Sequence, residues 1–342
     1  MGLNWPETLE QILAGEDLSR ELARAALVEI LEGETESAVI AAFLTALRAK
    51  GESIAETAGL VEAMLEMAVS VPLDGPLLDT CGTGGDRSGS VNISTMAGFV
   101  CAAAGVRVAK HGNRSASSQC GSADVLEALG AEIVLSPEGV AACVEETGIG
   151  FMFAPTFHPA LKHVMPVRRA LKIRTIFNVL GPLANPARAT HQLVGVADPS
   201  LGKLVAEVLN SLGKEHAVVV HGAGGLDEVS TLGPNRMWRV QNGTVAEEIL
   251  DPAKYGLTLD VPVALVGGDA GENAAIVRKV FAGMPGPVRD IVLLNAAVGL
   301  WVANRVPDVE SGLLVASAAI DDGCALACLH HFIEVSHRVA SS

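Results

Sequence analysis

The chain has 342 residues, 49% of them hydrophobic and 4% aromatic, which is enough apolar material for one large core or two modest ones and too much for disorder. A formal net charge of −15 argues against a general binder of nucleic acid or anionic membrane, because phosphates are held by Lys and Arg counter-charge; the basic groups that matter must act locally. Six scattered cysteines form no disulfide framework, and the opening Met1-Gly2-Leu3-Asn4-Trp5 lacks the zones of a signal peptide, so the cytoplasm is the expected compartment.

The first 70 residues read as helices. Ile40, Phe43, Leu44 and Leu47 fall at i, i+3, i+4 and i+7, as do Val61, Met64, Leu65 and Ala68, and Gly51 stands where a helix cap is expected. Pro72 and the Asp74-Gly75-Pro76 turn close this unit. From Leu77 onward short β-like runs alternate with helical ones, the pattern of a parallel sheet with crossover helices.

The first run, Pro76 to Cys81, leads into Gly82-Thr83-Gly84-Gly85-Asp86 and then an Ala-rich helical segment beginning Asn92-Ile93-Ser94-Thr95. Strand, glycine turn and helix start make a phosphate cradle, in which backbone N–H groups and the positive end of the helix dipole face an anion. The next run, Val106 to Ala109, leads into Lys110-His111-Gly112-Asn113-Arg114-Ser115-Ala116-Ser117-Ser118 and a helix from Ser122 to Leu129 ended by Gly130. It adds two cations, three hydroxyls and an amide. Ligands of open parallel sheets bind at the carboxyl ends of strands, so both loops should converge on one crevice.

Ile133-Val134-Leu135 is a further β-like run. Ser136-Pro137-Glu138 then signals a helix start, with its end near Gly148. Gly150 to Ala154 reads as a strand, Pro159 to Leu171 as a helix, and Leu193 to Val196 and Ala217 to Val220 as strands. Trp238 to Val240 and Thr244 to Ala246 flank Asn242-Gly243, a hairpin signal, and helices fill most of the rest. The apolar stretch Ile291 to Val302 is too short to span a membrane and carries Asn295, which makes it a buried helix.

The two loops, together with Gly121 to Asp124, Pro166-Val167-Arg168-Arg169, Phe177 to Pro186, Val220-His221-Gly222 and Gly225-Leu226-Asp227-Glu228, closely resemble the anthranilate phosphoribosyltransferase family of tryptophan biosynthesis. The resemblance implies an α/β fold: a small all-helical domain, residues 1–72 completed by about 163–185, and a larger α/β domain with a mainly parallel central sheet, residues 73–162 and 186–342. It implies transfer of a phosphoribosyl group from phosphoribosyl pyrophosphate to the amine of anthranilate, with Mg²⁺. It also implies a homodimer through the N-terminal helices, with no nucleic-acid or membrane partner.

By the same resemblance, phosphoribosyl pyrophosphate is expected on Gly82, Gly85, Asp86, Ser90, Asn92, Ile93, Ser94, Thr95, Lys110, His111, Gly112, Asn113, Arg114, Ser115, Ala116, Ser117, Ser118 and Ser122. Anthranilate is expected on Gly82, Asn113 and Arg168, and the metal on Ser94, Asp227 and Glu228. Arg87 stands where relatives often carry glycine, Ser90-Val91 where Thr-Phe is frequent, and Gln119-Cys120 where Lys-Ser is common.

The chemistry is consistent with these residue types. A departing pyrophosphate needs its charge neutralised, which Lys110, helix N-termini and Mg²⁺ can do, and a planar guanidinium suits the carboxylate of the acceptor. Anthranilate's amine is an arylamine and largely neutral, so positioning matters more than a strong base, and no residue is assigned as acid or base. His111 is read first as a hydrogen-bonding group and His158 and His163 as packing near the acceptor region. Cys324, Cys328 and His331 share a helix face, and the thiols there are read as core rather than as part of a zinc site. Two alternatives stand beside this reading: a pyrimidine nucleoside phosphorylase-like enzyme, and a non-catalytic relative that binds nucleic acid or protein.

Overall fold

The computed structural model describes residues 3–115, 119–257 and 261–341. Four helices open the chain: α1 (Trp5–Leu13), α2 (Arg20–Glu32), α3 (Ser37–Lys50) and α4 (Ile54–Glu66). Local chemistry sets their ends. Ser19 caps α2 through the Leu22 N–H, and Gly33 and Gly51 end α2 and α3 at positive φ. At α4 the Ser53–Glu56 capping box has a second use: Glu56 is fully buried, accepts the Leu18 N–H at 3.0 Å and pairs with Lys50 at 2.9 Å, which ties three helix ends together.

The sheet follows, with β1 (Leu78–Gly82), α5 (Ile93–Ala103), β2 (Val108–Gly112), α6 (Ser122–Leu129), α7 (Pro137–Thr147) and β3 (Ile149–Phe153). A helical return comprises α8 (Ala154–Phe157), a 3₁₀ turn at Pro159–His163, α9 (Met165–Leu171) and α10 (Phe177–Leu183). Next come β4 (His191–Gly195), α11 (Leu201–Ser211), β5 (His216–His221) and the hairpin β6 (Asn235–Gln241) and β7 (Thr244–Leu250). The hairpin turns through Asn242 and Gly243, both at positive φ. Helices α12 (Ala270–Phe281), α13 (Pro287–Val302), α14 (Val309–Asp321) and α15 (Cys324–Ala340) complete the chain.

The seven strands lie in the order β3-β2-β1-β4-β5-β6-β7, parallel through β5 and antiparallel for the hairpin. Strand alternation divides the interior. Leu193, Val218 and Val220 face a core built with α5, α12, α13 and α15, while Val194, Ala217 and Val219 face one shared by α11 and the opening helices. Val164, Val167, Ile176, Phe177, Leu180 and Leu183 join that second core, so the return lies against α1 to α4.

Two expectations need correction. Ile133-Val134-Leu135 is not a strand: it alternates as one, with Ile133 and Leu135 buried and Val134 exposed, but β3 occupies that edge of the sheet and the segment pairs with nothing in the ladder. The helix expected over Pro159–Leu171 is two pieces broken at Val164. Pro166 lacks the N–H that a continuous helix would use, so it is tolerated only in a first turn, where α9 places it. Among the described residues no single helix is long and apolar enough to cross a membrane, although the bent pair α14 and α15 reaches that length and composition together. The Ile291–Val302 stretch is the buried part of α13.

Candidate active site

The carboxyl ends of β1 and β2 lie side by side, which brings the two glycine loops together. In the first, Thr83 N–H continues the ladder to Gly195 O at 2.9 Å, after which Gly84 and Gly85 take positive φ. Gly84 N–H donates to Asp227 Oδ2 at 2.6 Å. The Asp227 segment crosses directly over the ends of β1 and β4: a Cβ at Gly82 would lie 2.3 Å from Asp227 Oδ2, and one at Gly195 only 1.6 Å from Asp227 O. Glycine is required at both ends by this close approach. Asp86 accepts from Ser88 N–H (3.1 Å) and Oγ (2.7 Å), and Arg87 holds φ 60°, the backbone that a glycine there would adopt freely. Ser90 bridges to Val266.

At the start of α5, Ser94 N–H donates to Glu228 Oε1 at 3.1 Å, so the positive end of the helix dipole meets a carboxylate. Asn92 is engaged elsewhere, with Cys120 O and with Asn273, while the side chains of Ile93 and Thr95 are buried. Lys110 is buried and extends to Thr80 O and, at 3.3 Å, to Ser94 Oγ. Ser94 thus stands between the lysine and the acidic pair.

Asp227 and Glu228 lie on a loop after β5 and are not an exposed surface pair. Asp227 is buried, and the loop is fastened to α13 by Asn295, which accepts Val229 N–H at 2.9 Å and donates to Val229 O at 2.7 Å. Burial, then the neighbouring Asp86, pushes Asp227 up to about 7. Burial and the charge of Asp227 push Glu228 up to about 8, against the opposing pull of Lys110. The pocket is short of positive charge.

In the second loop the Arg114 guanidinium turns onto Asp124 (3.1 Å) and Glu127 (2.8 Å) and lies over the Phe153 ring. Asp124 also accepts the N–H groups of Ser115 (3.0 Å) and Gly121 (2.8 Å), and Ser122 Oγ donates to Asn113 O at 3.3 Å. At Gly112 a Cβ would meet Ser122 Oγ at 2.3 Å. Ala116, Ser117 and Ser118 lie outside the described residues.

The His111 and His158 rings lie 5.0 Å apart between centroids, their planes tilted by 54°. His111 Nδ1 donates to Gly181 O at 3.2 Å, which leaves its buried Nε2 as an acceptor without a partner; His158 Nε2 donates to Ala184 O at 3.0 Å. Burial draws His111 down to about 4 and His158 to about 3, so both rings are neutral near pH 7. Arg168 is half-buried over the Phe177 ring at 5.3 Å, with Nη1 3.8 Å from Met165 Sδ, and burial lowers its pKa. Arg169 beside it is exposed. His163 is not at this wall: it packs against Gly33 at the end of α2.

Two features went unnoticed in the sequence. Arg174, in the turn between α9 and α10, donates to Gly84 O (3.3 Å) and Gly85 O (3.5 Å), which joins the helical return to the first loop. Asp79, fully buried in β1, accepts from Asn185 (2.8 Å) and from His111 N–H (3.3 Å). An acid inside an apolar strand was the available signal. Cys324 is exposed at the first turn of α15, contrary to its reading as core, and Cys328 donates to Thr147 O at 3.3 Å.

Known proteins share this arrangement throughout the chain. Residues 6–68 match the helical bundle domain of the glycosyl transferase family and residues 74–326 its a/b domain. The anthranilate phosphoribosyltransferase of Rubrobacter xylanophilus is 50% identical over 98% of this chain and 98% of its own length, and that of Roseiflexus castenholzii 52% identical over 95% and 96%. The crystal structure of the Thermus thermophilus enzyme superposes with a TM-score of 0.91 at 42% identity, covering 96% of this chain and 99% of that one. The Saccharomyces cerevisiae enzyme in complex with PRPP and Mg superposes with a TM-score of 0.90 at 28% identity, covering 98% of each. With half of its residues identical across nearly full-length relatives and the same two-part architecture, the chain belongs to the anthranilate phosphoribosyltransferase family.

Proposed function

We infer that this protein transfers the phosphoribosyl group from phosphoribosyl pyrophosphate to the amine of anthranilate, giving N-(5-phosphoribosyl)anthranilate and pyrophosphate, in tryptophan biosynthesis. The observation that carries it is the convergence of two phosphate-type loops, a buried lysine and a cation-deficient acidic pair at one edge of the sheet. The yeast relative's complexes with PRPP and Mg and with 4-fluoroanthranilate support the same assignment.

Among the described residues no three His, Cys, Asp or Glu side chains form a self-sufficient metal cage. The buried Asp227, the half-buried Glu228 and the neighbouring Ser94 hydroxyl, with both carboxyl pKa values raised, fit Mg²⁺, an ion that would keep waters and draw further oxygen ligands from substrate phosphates. Asp227, Glu228 and Ser94 Oγ would hold it. Held by these residues, Mg²⁺ would supply the charge that neutralises the departing pyrophosphate.

The protein's own groups do the rest. Free N–H groups of the 82–86 loop, Lys110 and the donors of the 112–118 and 122 segment hold the phosphates, and Ser90, Asn92, Ile93 and Thr95 shape the wall; His111, expected among the phosphate residues, has its N–H on Asp79 and its Nδ1–H on Gly181 O and so has no donor to spare. Arg168 pairs with the anthranilate carboxylate, and the tight backbone at Gly82 and the amide of Asn113 border the ring. The His111 ring, held on Gly181 O and neutral near pH 7, brings no charge to the crevice, in keeping with an arylamine whose lone pair needs orientation rather than deprotonation. Loss of anthranilate fluorescence that requires both phosphoribosyl pyrophosphate and Mg²⁺ is the expected result. Phosphate-dependent cleavage of thymidine in its place would assign the site to a nucleoside phosphorylase.

We place the domain boundaries at 1–72 with 163–185, and 73–162 with 186–342, on the packing of the return against α1 to α4. We propose a homodimer through the opening helices, where Leu13 is 69% exposed on α1, and light scattering of active enzyme at micromolar concentration tests it. We propose a cytoplasmic setting, with which six cysteines held as thiols agree.

A further inference from the structure

A cavity of about 700 Å³ opens at the amino ends of β4 and β5, the sheet edge opposite the glycine loops. Its walls include Arg20 and Arg24 of α2, Leu65 of α4, Leu183, Arg188 and Lys214. Two of its four cations are already satisfied. Arg20 makes a bidentate pair with Glu62 at 3.0 and 2.6 Å, and Arg24 pairs with Glu66.

The other two are not. Lys214 Nζ donates to Ala189 O at 2.5 Å and has two more N–H bonds to place, and among the described residues neither Lys214 nor Arg188 has a carboxylate at ion-pair distance. Burial draws the Lys214 ammonium down to about 8, and the positive charge of Arg188 acts in the same direction while Asp79 opposes it. Arg188 also holds a left-handed backbone, φ 52°, in a turn closed by its N–H to Asn185 O at 2.9 Å. A volume of this size suits a small molecule, and Leu65 and Leu212 give it an apolar wall.

We propose that this cavity binds a small organic carboxylate, with its headgroup between Arg188 and Lys214 and its apolar body against Leu65 and Leu212. A guanidinium fork and an ammonium match a carboxylate, and the leucines offer a surface for the apolar body. The site is separate from the proposed transferase site and does not depend on that reading.

The test reads Lys214 directly. Pulse acetylation of the full chain at pH 8, followed by peptide mass spectrometry, reports how much free amine Lys214 presents, with benzoate as the probe. At roughly 20 mM benzoate, several times a millimolar Kd, Lys214 labelling should fall about fivefold or more in the wild type. The protection should disappear in Arg188→Asn, a substitution that removes the charge and tolerates the left-handed backbone. Unchanged Lys214 labelling in the wild type overturns the site, protection that persists in Arg188→Asn overturns its geometry, and equal protection by inorganic phosphate overturns the apolar half. Because labelling does not require turnover, an inactive preparation would give the same answer, and failure of the transferase assay stays distinguishable.

Discussion

The two glycine loops leave neighbouring strands and face the same crevice, yet they are held by opposite means. The 82–86 loop is pinned from beneath by a buried carboxyl, Asp227, in surroundings that disfavour its charge. The 110–115 segment is held from outside by exposed ion pairs of Arg114 with Asp124 and Glu127. Solvent screens exposed pairs and they contribute little, whereas a buried acid without a counter-ion is sensitive to any cation or proton that reaches it. One loop is therefore tuned to metal and pH, and the other is a scaffold for Lys110 and Asn113.

Removing the acidic side should have the largest effect. Asp227→Asn with Glu228→Gln keeps the shape and deletes the charges, so turnover should fall by about two orders of magnitude or more and the Mg²⁺ requirement should rise, while the melting temperature holds or increases. Wild-type metal dependence in the double variant would return the pair to a structural role. Arg168→Ala belongs to neither loop and separates the substrates: the KM for anthranilate should rise about 10- to 100-fold, with the KM for the donor nearly unchanged. Equal losses in both would move the acceptor site elsewhere.

Smaller effects sharpen the contrast. Asp227 and Glu228 keep protons in the native state that the unfolded chain sheds near pH 4, so their stabilising contribution is whole below about pH 4, declines steadily above it and is gone once pH has passed about 7 and 8. His111 and His158 act with the opposite sign. They refuse protons that the unfolded chain accepts below about 6.5, which lowers stability as pH falls from there toward 4. From these groups metal-free protein should show a plateau of melting temperature between about pH 4.5 and 6 and a fall above it, and Mg²⁺ should raise the alkaline limb more than the acid limb. Arg114→Gln should change donor affinity only about two- to threefold, an effect that shrinks at high salt. A tenfold loss at any ionic strength would show that this guanidinium leaves its carboxylates to bind phosphate.

Much of this site was legible because its signals are local. A glycine run after an apolar strand, or a lysine opening a hydroxyl-rich loop, carries its chemistry in consecutive residues. The architecture of the return was not legible that way. The packing of 164–184 against α1 to α4 depends on contacts more than a hundred residues apart in sequence, and periodicity is blind to those. Ile133 to Leu135 alternates like a strand yet has no ladder partner, because alternation records which side faces the core and not whether a neighbour offers hydrogen bonds. Arg174 is one cation among several near Arg168, and only the fold shows which of them reaches the glycine carbonyls. Asn295 did stand out, as a polar residue in an apolar helix, but its partner Val229 could not be named.

The return also matters during synthesis. The opening helices leave the ribosome first, yet their apolar faces are covered partly by Val164, Phe177 and Leu180 and partly by strands as late as Trp238. At roughly 5 to 20 residues per second, about 5 to 20 seconds separate the emergence of α4 from that of α9. For that interval the nascent bundle presents leucines with no cover, a window in which chaperones, or a second nascent copy, can reach them.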